Sequence, residues 1–66
     1  MNEDTIKGNW KQFKGKVKAK WGDLTDDEID QIDGNREVLE GKIQERYGKS
    51  REEAKAEVDR AYADWS

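Results

Sequence analysis

The chain has 66 residues, of which 44% are charged and 32% hydrophobic, and its net charge at pH 7 is −3. Cysteine, histidine and proline are absent, which excludes disulfides, thiolate chemistry and the imidazole that most often serves as general base or metal ligand. No stretch is long and apolar enough to span a membrane, and the acidic start is unlike a signal peptide. We therefore expect one cytoplasmic domain over residues 1–66.

The first predicted helix begins between Asp4 and Asn9 and ends at Gly22. Its apolar residues recur every three or four positions, at Ile6, Trp10, Phe13, Val17 and Trp21. At about 100° per residue these side chains share one face, as in a helix packed on a core.

Local signals place three more helices after the first. Thr25 and Glu28 form a capping box that opens a short helix with Ile29 and Ile32 inward, closed by Gly34. Asn35 is expected to cap a third helix, which ends at Gly48 and turns Val38, Leu39, Ile43 and Tyr47 inward. Ser50 and Glu53 form a second capping box, and the apolar stripe of the fourth helix is Ala54, Val58, Ala61, Tyr62 and Trp65.

The second half of the sequence repeats features of the first. Gly8-Asn9 aligns with Gly34-Asn35, Gly15-Lys16 with Gly41-Lys42, and Gly22 with Gly48, all in the same register. This internal twofold repeat predicts an all-α fold of four short helices, packed as two helical hairpins over about 5–33 and 35–65, with mobile ends. Because Gly15 and Gly41 recur in mid-helix, we expect close helix–helix approach at both.

Two stretches carry a family resemblance. Residues 8–18 (GNWKQFKGKVK) and 21–27 (WGDLTDD) resemble the signature of the CsbD-like family, and residues 41–48 (GKIQERYG) resemble its YjbJ-type members. The resemblance implies a SAM-like fold with roughly orthogonal hairpins. It also implies a bacterial general stress-response protein with no established molecular activity, and it supplies no catalytic residues.

Charge is distributed unevenly along the chain. Residues 5–21 contain six lysines and no acid, whereas the remainder is acidic. The candidate interaction surface comprises Lys7, Trp10, Lys11, Lys14 and Lys18. This surface could dock on the phosphates of nucleic acid or of an anionic membrane. Alternatively, its lysines face acids of the next helix, namely Asp26, Asp27, Asp30 and Asp33. Trp10 and Trp65 are expected to be partly exposed.

The predicted function is noncatalytic. The acidic run over 23–33 lacks the ligand register of a calcium loop, and no nucleophile or positioned base accompanies it, so we expect no catalytic, metal or cofactor-binding residues. A stress-response protein that acts by interaction or as a hydrophilic protectant is the leading hypothesis. The alternative is a weak, nonspecific nucleic-acid-associated module, or a binder of anionic membrane surfaces, that uses the basic first helix. We expect a monomer, and the sequence identifies no specific protein partner.

Overall fold

Helices joined by short connections make up the part that the computed structural model describes, which is the backbone of residues 3–65 and the side chains of residues 4–65. The predicted mobile ends include Met1, Asn2 and Ser66, which lie outside this range. The helices are α1 (Glu3–Gly8), α2 (Trp10–Lys20), α3 (Asp26–Ile32), α4 (Arg36–Tyr47) and α5 (Arg51–Asp64). The predicted all-α class is confirmed. Along the chain, α2 packs on α3, α3 on α4, and α4 on α5.

The prediction of a single first helix is wrong, because the helix is interrupted at Asn9. The backbone of Asn9 leaves the helical region at φ −120° and ψ 31°, and its amide Nδ2 donates to the carbonyl oxygen of Thr5 over 3.0 Å. Asn competes in this way for backbone groups, and the adjacent Gly8 is also a poor helix former. The described chain therefore has five helices instead of four.

The predicted helix caps are confirmed at three positions. Thr25 and Ser50 each form a complete capping box with the glutamate three residues later. The side chain of Asn35 accepts from the backbone N–H groups of Glu37 and Val38 at the start of α4. Because these acceptors satisfy N–H groups that have no partner inside the helix, they fix where α3, α4 and α5 begin.

The core is formed by one apolar face from each helix together with the α2–α3 connection. Its buried members are Ile6, Trp10, Val17, Trp21, Leu24, Ile29, Ile32, Leu39, Ile43, Ala54, Val58, Ala61 and Tyr62. Phe13, Tyr47 and Trp65 are partly buried and pack against this cluster. Val38 was predicted to point inward, but it is 37% exposed. The reason is geometric, since Val38 lies about 100° around α4 from Leu39, outside the arc shared by Leu39 and Ile43.

The predicted close packing at the two mid-helix glycines is wrong. A Cβ atom built on Gly15 or Gly41 would meet nothing within 4 Å beyond the local backbone, and both residues are exposed. Close approach occurs instead at Gly34, where an added Cβ would lie 2.5 Å from Cα of Lys7. Gly34 also has a φ of 82°, so both its backbone conformation and its neighbour require glycine.

Candidate interaction surface

The predicted surface residues are divided between two helices. Lys11, Lys14 and Lys18 lie on α2, whereas Lys7 lies on α1 beyond the interruption at Asn9. The Cβ and Cγ atoms of Lys7 lie over Gly34, at 2.9 and 3.1 Å from the position of an added Cβ. Lys7 therefore does not share one continuous helix with the other three lysines of the candidate surface.

Trp10 belongs to the core, and the prediction that it is partly exposed is wrong. Its side chain is only 6% exposed, and its indole Nε1 donates to the backbone carbonyl of Ile29 over 3.0 Å. This bond joins α2 to α3 and gives the single polar atom of the indole a partner inside the protein. Trp65, in contrast, is half-buried and packs with Phe13, Trp21 and Tyr62 in an aromatic cluster.

Four of the five α2 lysines fall into two groups according to what they contact. Lys14 forms an ion pair with Asp30 of α3, and the Lys18 ammonium donates to the carbonyl oxygen of Leu24 over 2.7 Å. Lys11 and Lys16 are exposed and form no ion pair within the part of the chain whose side chains are described. The alternative of intramolecular pairing with the next helix thus accounts for Lys14 and leaves Lys11 and Lys16 available to solvent.

Glu28 joins α3 to α4 through a buried ionic cluster. Its side chain is 11% exposed, and Oε1 accepts from the Thr25 backbone N–H over 3.0 Å. The Arg46 guanidinium lies 2.9 Å from the same oxygen, and the Lys42 ammonium lies 3.8 Å from Oε2. The hydrogen bond from the Thr25 backbone N–H is the largest influence on the Glu28 carboxylate, and it stabilises the charged form. Burial acts in the opposite direction, but the Thr25 bond and the contacts of Arg46 together outweigh it and lower the pKa of Glu28 to about 2.

Two further clusters link α5 to the rest of the bundle. The Arg36 guanidinium donates hydrogen bonds to Glu40 on its own helix, over 2.9 Å, and to Asp59 on α5. It also lies 5.7 Å from the ring centroid of Tyr62. Glu57 accepts from Lys49 and, over 3.3 Å, from Nε1 of Trp21. The Lys49 bond is the largest influence on Glu57 and lowers its pKa. Sequence reasoning missed the links to α5 because they join residues of different helices that lie far apart in the chain, as Arg36 and Asp59 do, and Trp21 and Glu57.

The described surface has grooves but no metal-binding constellation. Between residues 4 and 65 no three acidic, cysteine or histidine side chains meet in a way that could hold a metal ion. The larger groove, of about 690 Å³, lies where α1 meets the starts of α4 and α5 and is polar. A smaller one, of about 360 Å³, lies between α2 and α3 beside Gly15 and Ile29. Across the described helices, none has the length and apolarity needed to cross a bilayer.

Comparison with known proteins assigns the chain to a family. The sequence profile described as CsbD-like matches residues 4–56. The chain belongs to the CsbD-like family. The matched range includes every residue of the candidate interaction surface and all of α2, α3 and α4.

Curated relatives of this CsbD-like chain are similar over nearly their whole length. The UPF0337 protein PA4738 of Pseudomonas aeruginosa is 58% identical over 64 residues, which cover 97% of each chain. The UPF0337 protein YjbJ of Escherichia coli K12 is 57% identical over 98% of this chain and 88% of its own. A Rhodopseudomonas palustris relative, UPF0337 protein RPA4217, is 54% identical over 98% of this chain and 92% of its own. No solved structure matches the chain significantly. The predicted YjbJ-type membership is therefore confirmed, whereas the relatives' names state no molecular activity.

Proposed function

We propose that this CsbD-like protein is a noncatalytic, cytoplasmic stress-response protein that acts as a hydrophilic protectant or through contacts of its charged surface with a protein partner. The observation that supports this proposal is that the charged side chains lie on the surface of a folded helical protein. Among the side chains described, Glu28 is the only charged one that is buried. Ionised groups on a helical surface stay hydrated and keep a protein soluble at high concentration.

The protectant activity can be tested with a dehydration-sensitive enzyme. The enzyme is dried and rehydrated, or heated, with this protein or with an equal mass of an inert globular protein. We expect at least about twofold greater recovery of enzyme activity with the CsbD-like chain, and equal recovery would count against protection. Val17→Asp provides a matched variant, because Val17 is fully buried and a core carboxylate should unfold the chain with almost the same composition. Loss of protection in this variant would show that the folded surface is required.

A second candidate function is weak binding to polyanions through α2. It is favoured by the exposed Lys11 and Lys16, which form no ion pair with the described residues, and by the absence of acids from α2. Arginine is absent from the same helix, so such binding would use point charges and would be nonspecific and sensitive to salt.

The test is a titration of duplex DNA, single-stranded DNA and anionic vesicles at two salt concentrations. Binding at low salt that is lost in Lys11→Glu/Lys16→Glu, which leaves the contacts of Lys14 and Lys18 inside the fold intact, would support this candidate. No binding at low salt to any of the three probes would exclude both the nucleic-acid and the membrane form.

We also propose that the two halves are structural repeats arranged as two crossing hairpins. In the register that aligns Gly15 with Gly41, α2 falls on residues 36–46, close to the observed α4, and Val17 and Ile43 are both fully buried. The capping boxes at Thr25 and Ser50 lie one residue closer together than this register requires, so the second turn would be one residue shorter. An experimental structure would test this by superposing residues 10–20 on 36–46 and measuring the angle between the hairpins.

A further inference from the structure

The outer faces of α2 and α4 are unpartnered and occupy equivalent positions in the sequence repeat. On α2 the exposed residues include Lys11, Gly15 and Ala19. In the second half these positions become Glu37, Gly41 and Glu45 of α4, which are also exposed. Successive members of each trio are four residues apart, so each trio forms a row along one side of its helix.

The two rows have opposite charge. The row on α2 is basic, and that helix carries no acid. The row on α4 is acidic because two of its three members are glutamates, and the basic residues of this helix form ion pairs with other acids of the chain. Arg36 contacts Glu40 and Asp59, while Lys42 and Arg46 contact Glu28.

The charges of both rows are also free to meet a partner. Within residues 4–65, Lys11, Glu37 and Glu45 form no ion pair. Beside the acidic row lies Val38, the exposed large hydrophobic residue of the described surface. The two helix faces are therefore complementary in charge, and neither is satisfied within one copy of the chain.

We propose that the outer face of α2 in one copy docks on the outer face of α4 in a second copy, with Gly15 centred on Gly41. In this register Lys11 lies opposite Glu45 when the two helices are antiparallel and opposite Glu37 when they are parallel, so it meets an acid in either orientation. The absence of a side chain at both centres lets the backbones approach.

The form of the contact determines what kind of assembly it produces. Different faces of the two copies meet, so each docked pair retains one unoccupied α2 face and one unoccupied α4 face. Association can then continue from copy to copy. A helix of 11 residues is about 16 Å long, so the buried area falls below that of a stable dimer. The association is accordingly weak, and it coexists with a monomer in dilute solution.

Sedimentation velocity on the intact chain, from about 20 µM to 2 mM at low and high salt, tests this contact. We expect the average mass to rise with concentration at low salt and to return to that of the monomer at high salt. Lys11→Glu/Ala19→Glu makes the α2 row acidic, and Glu37→Lys/Glu45→Lys makes the α4 row basic. Each variant alone should weaken association roughly tenfold or more, because like charges then face each other.

Mixing the two variants restores complementarity, since the two carboxylates introduced on α2 of one variant would oppose the two ammonium groups introduced on α4 of the other. We expect the mixture to associate where neither variant does alone. Amide chemical shifts in an ¹⁵N-labelled variant should move on the outer faces of α2 and α4. Circular dichroism of each variant confirms that its helices are retained.

The matched control is Lys55→Glu/Ala56→Glu on α5, which changes the net charge by the same amount as the α2 variant at other exposed positions. It should associate nearly as well as the wild type. A second variant without a charge change, Gly15→Leu, should weaken association by steric obstruction, because an added Cβ at this exposed position meets nothing of its own fold within 4 Å. The proposal is overturned by a wild type that stays monomeric at the highest concentration in low salt. It is also overturned if the control loses association as fully as the α2 variant does, or if the mixture fails to associate.

Discussion

Alanine substitution at four glycines should change stability in opposite directions according to position. Gly15 and Gly41 lie inside α2 and α4, and an added Cβ at either would contact nothing within 4 Å. Glycine in a helix interior costs about 0.8–1 kcal/mol relative to alanine. Gly15→Ala and Gly41→Ala should therefore each raise the free energy of unfolding by about that amount. In a domain of this size, about 1 kcal/mol corresponds to roughly 4–8 °C in Tm.

Gly34 and Gly48 should respond in the other direction. Both have positive φ, 82° and 63°, and that conformation costs an L-residue about 1–2 kcal/mol. Gly48 has open space around it, so Gly48→Ala should lose only this amount. Gly34→Ala would in addition place its Cβ 2.5 Å from Cα and 2.9 Å from Cβ of Lys7, both of which belong to a packed helix. With an overpacking cost of about 1–3 kcal/mol, its total loss should reach at least about 2 kcal/mol.

Urea unfolding followed by far-UV circular dichroism at low protein concentration measures all four variants on one scale. The expected order of stability is Gly15→Ala and Gly41→Ala above the wild type, then Gly48→Ala, then Gly34→Ala. Destabilisation by Gly15→Ala or Gly41→Ala would refute the reasoning, because it would require a neighbour that the fold does not place there. Wild-type stability in Gly34→Ala would refute the contact between α1 and the α3–α4 connection.

Three further outcomes follow from the caps, the indole bond and the buried carboxylate. Thr25→Ala should lower the free energy of unfolding by about 1 kcal/mol, because it removes the side-chain cap of α3. Asn9→Ala should change it by less than about 0.5 kcal/mol, because the Asn9 side chain does not cap α2; urea unfolding of both variants tests the difference. Trp10→Phe should cost about 1–3 kcal/mol, since it removes the indole hydrogen bond to the Ile29 carbonyl and leaves a smaller ring in a buried position, and an unchanged urea midpoint would argue against that bond. The pKa of Glu28 is lowered to about 2 in the folded state, so its stabilising contribution is complete above about pH 4.5 and is lost as the pH falls toward 2. Unfolding measured across this interval should show a shallower pH dependence in Glu28→Gln, which keeps an amide acceptor for the cap; an unchanged dependence would assign the acid sensitivity to other carboxylates.

Local sequence signals predicted the helix starts well because their physical cause is local. Thr25, Asn35 and Ser50 act within three residues of themselves, so the sequence contains both the acceptor and the N–H groups it serves. Periodicity likewise identified Val17, Ile43 and most of the core, because one helix face suffices to define it. Periodicity did not predict the break at Asn9, because Ile6 continues the spacing of the apolar residues on α2. Ile6 is buried as that spacing predicts, although it lies on a separate helix.

The candidate surface was predicted less well because exposure depends on contacts between helices. The indole of Trp10 donates to the Ile29 carbonyl of α3, a contact that depends on how the two helices pack and that the spacing within one helix does not show. In the repeat, position 10 corresponds to Arg36, which links α4 to α5 through Asp59. The same position thus joins consecutive helices by an indole bond in one half and by an ion pair in the other, which an alignment of the halves does not predict.

Opposite charges at equivalent positions connect the fold to its proposed association. Lys14 and Glu40 occupy equivalent positions in the two halves, yet Lys14 pairs with Asp30 of α3 while Glu40 pairs with Arg36 of its own helix. These ion pairs neutralise Lys14 and Glu40 within the chain. Lys11 and Glu37, which lie nearly one turn earlier in each helix, are exposed to solvent. Two similar helices with opposite outer charge give the chain two different faces that complement each other, whereas two faces of like charge would repel a second copy. The mixture of Lys11→Glu/Ala19→Glu with Glu37→Lys/Glu45→Lys therefore tests whether the opposite charges of the two halves serve association. The substitutions reverse the charges of the two outer faces and leave the core residues of both helices unchanged.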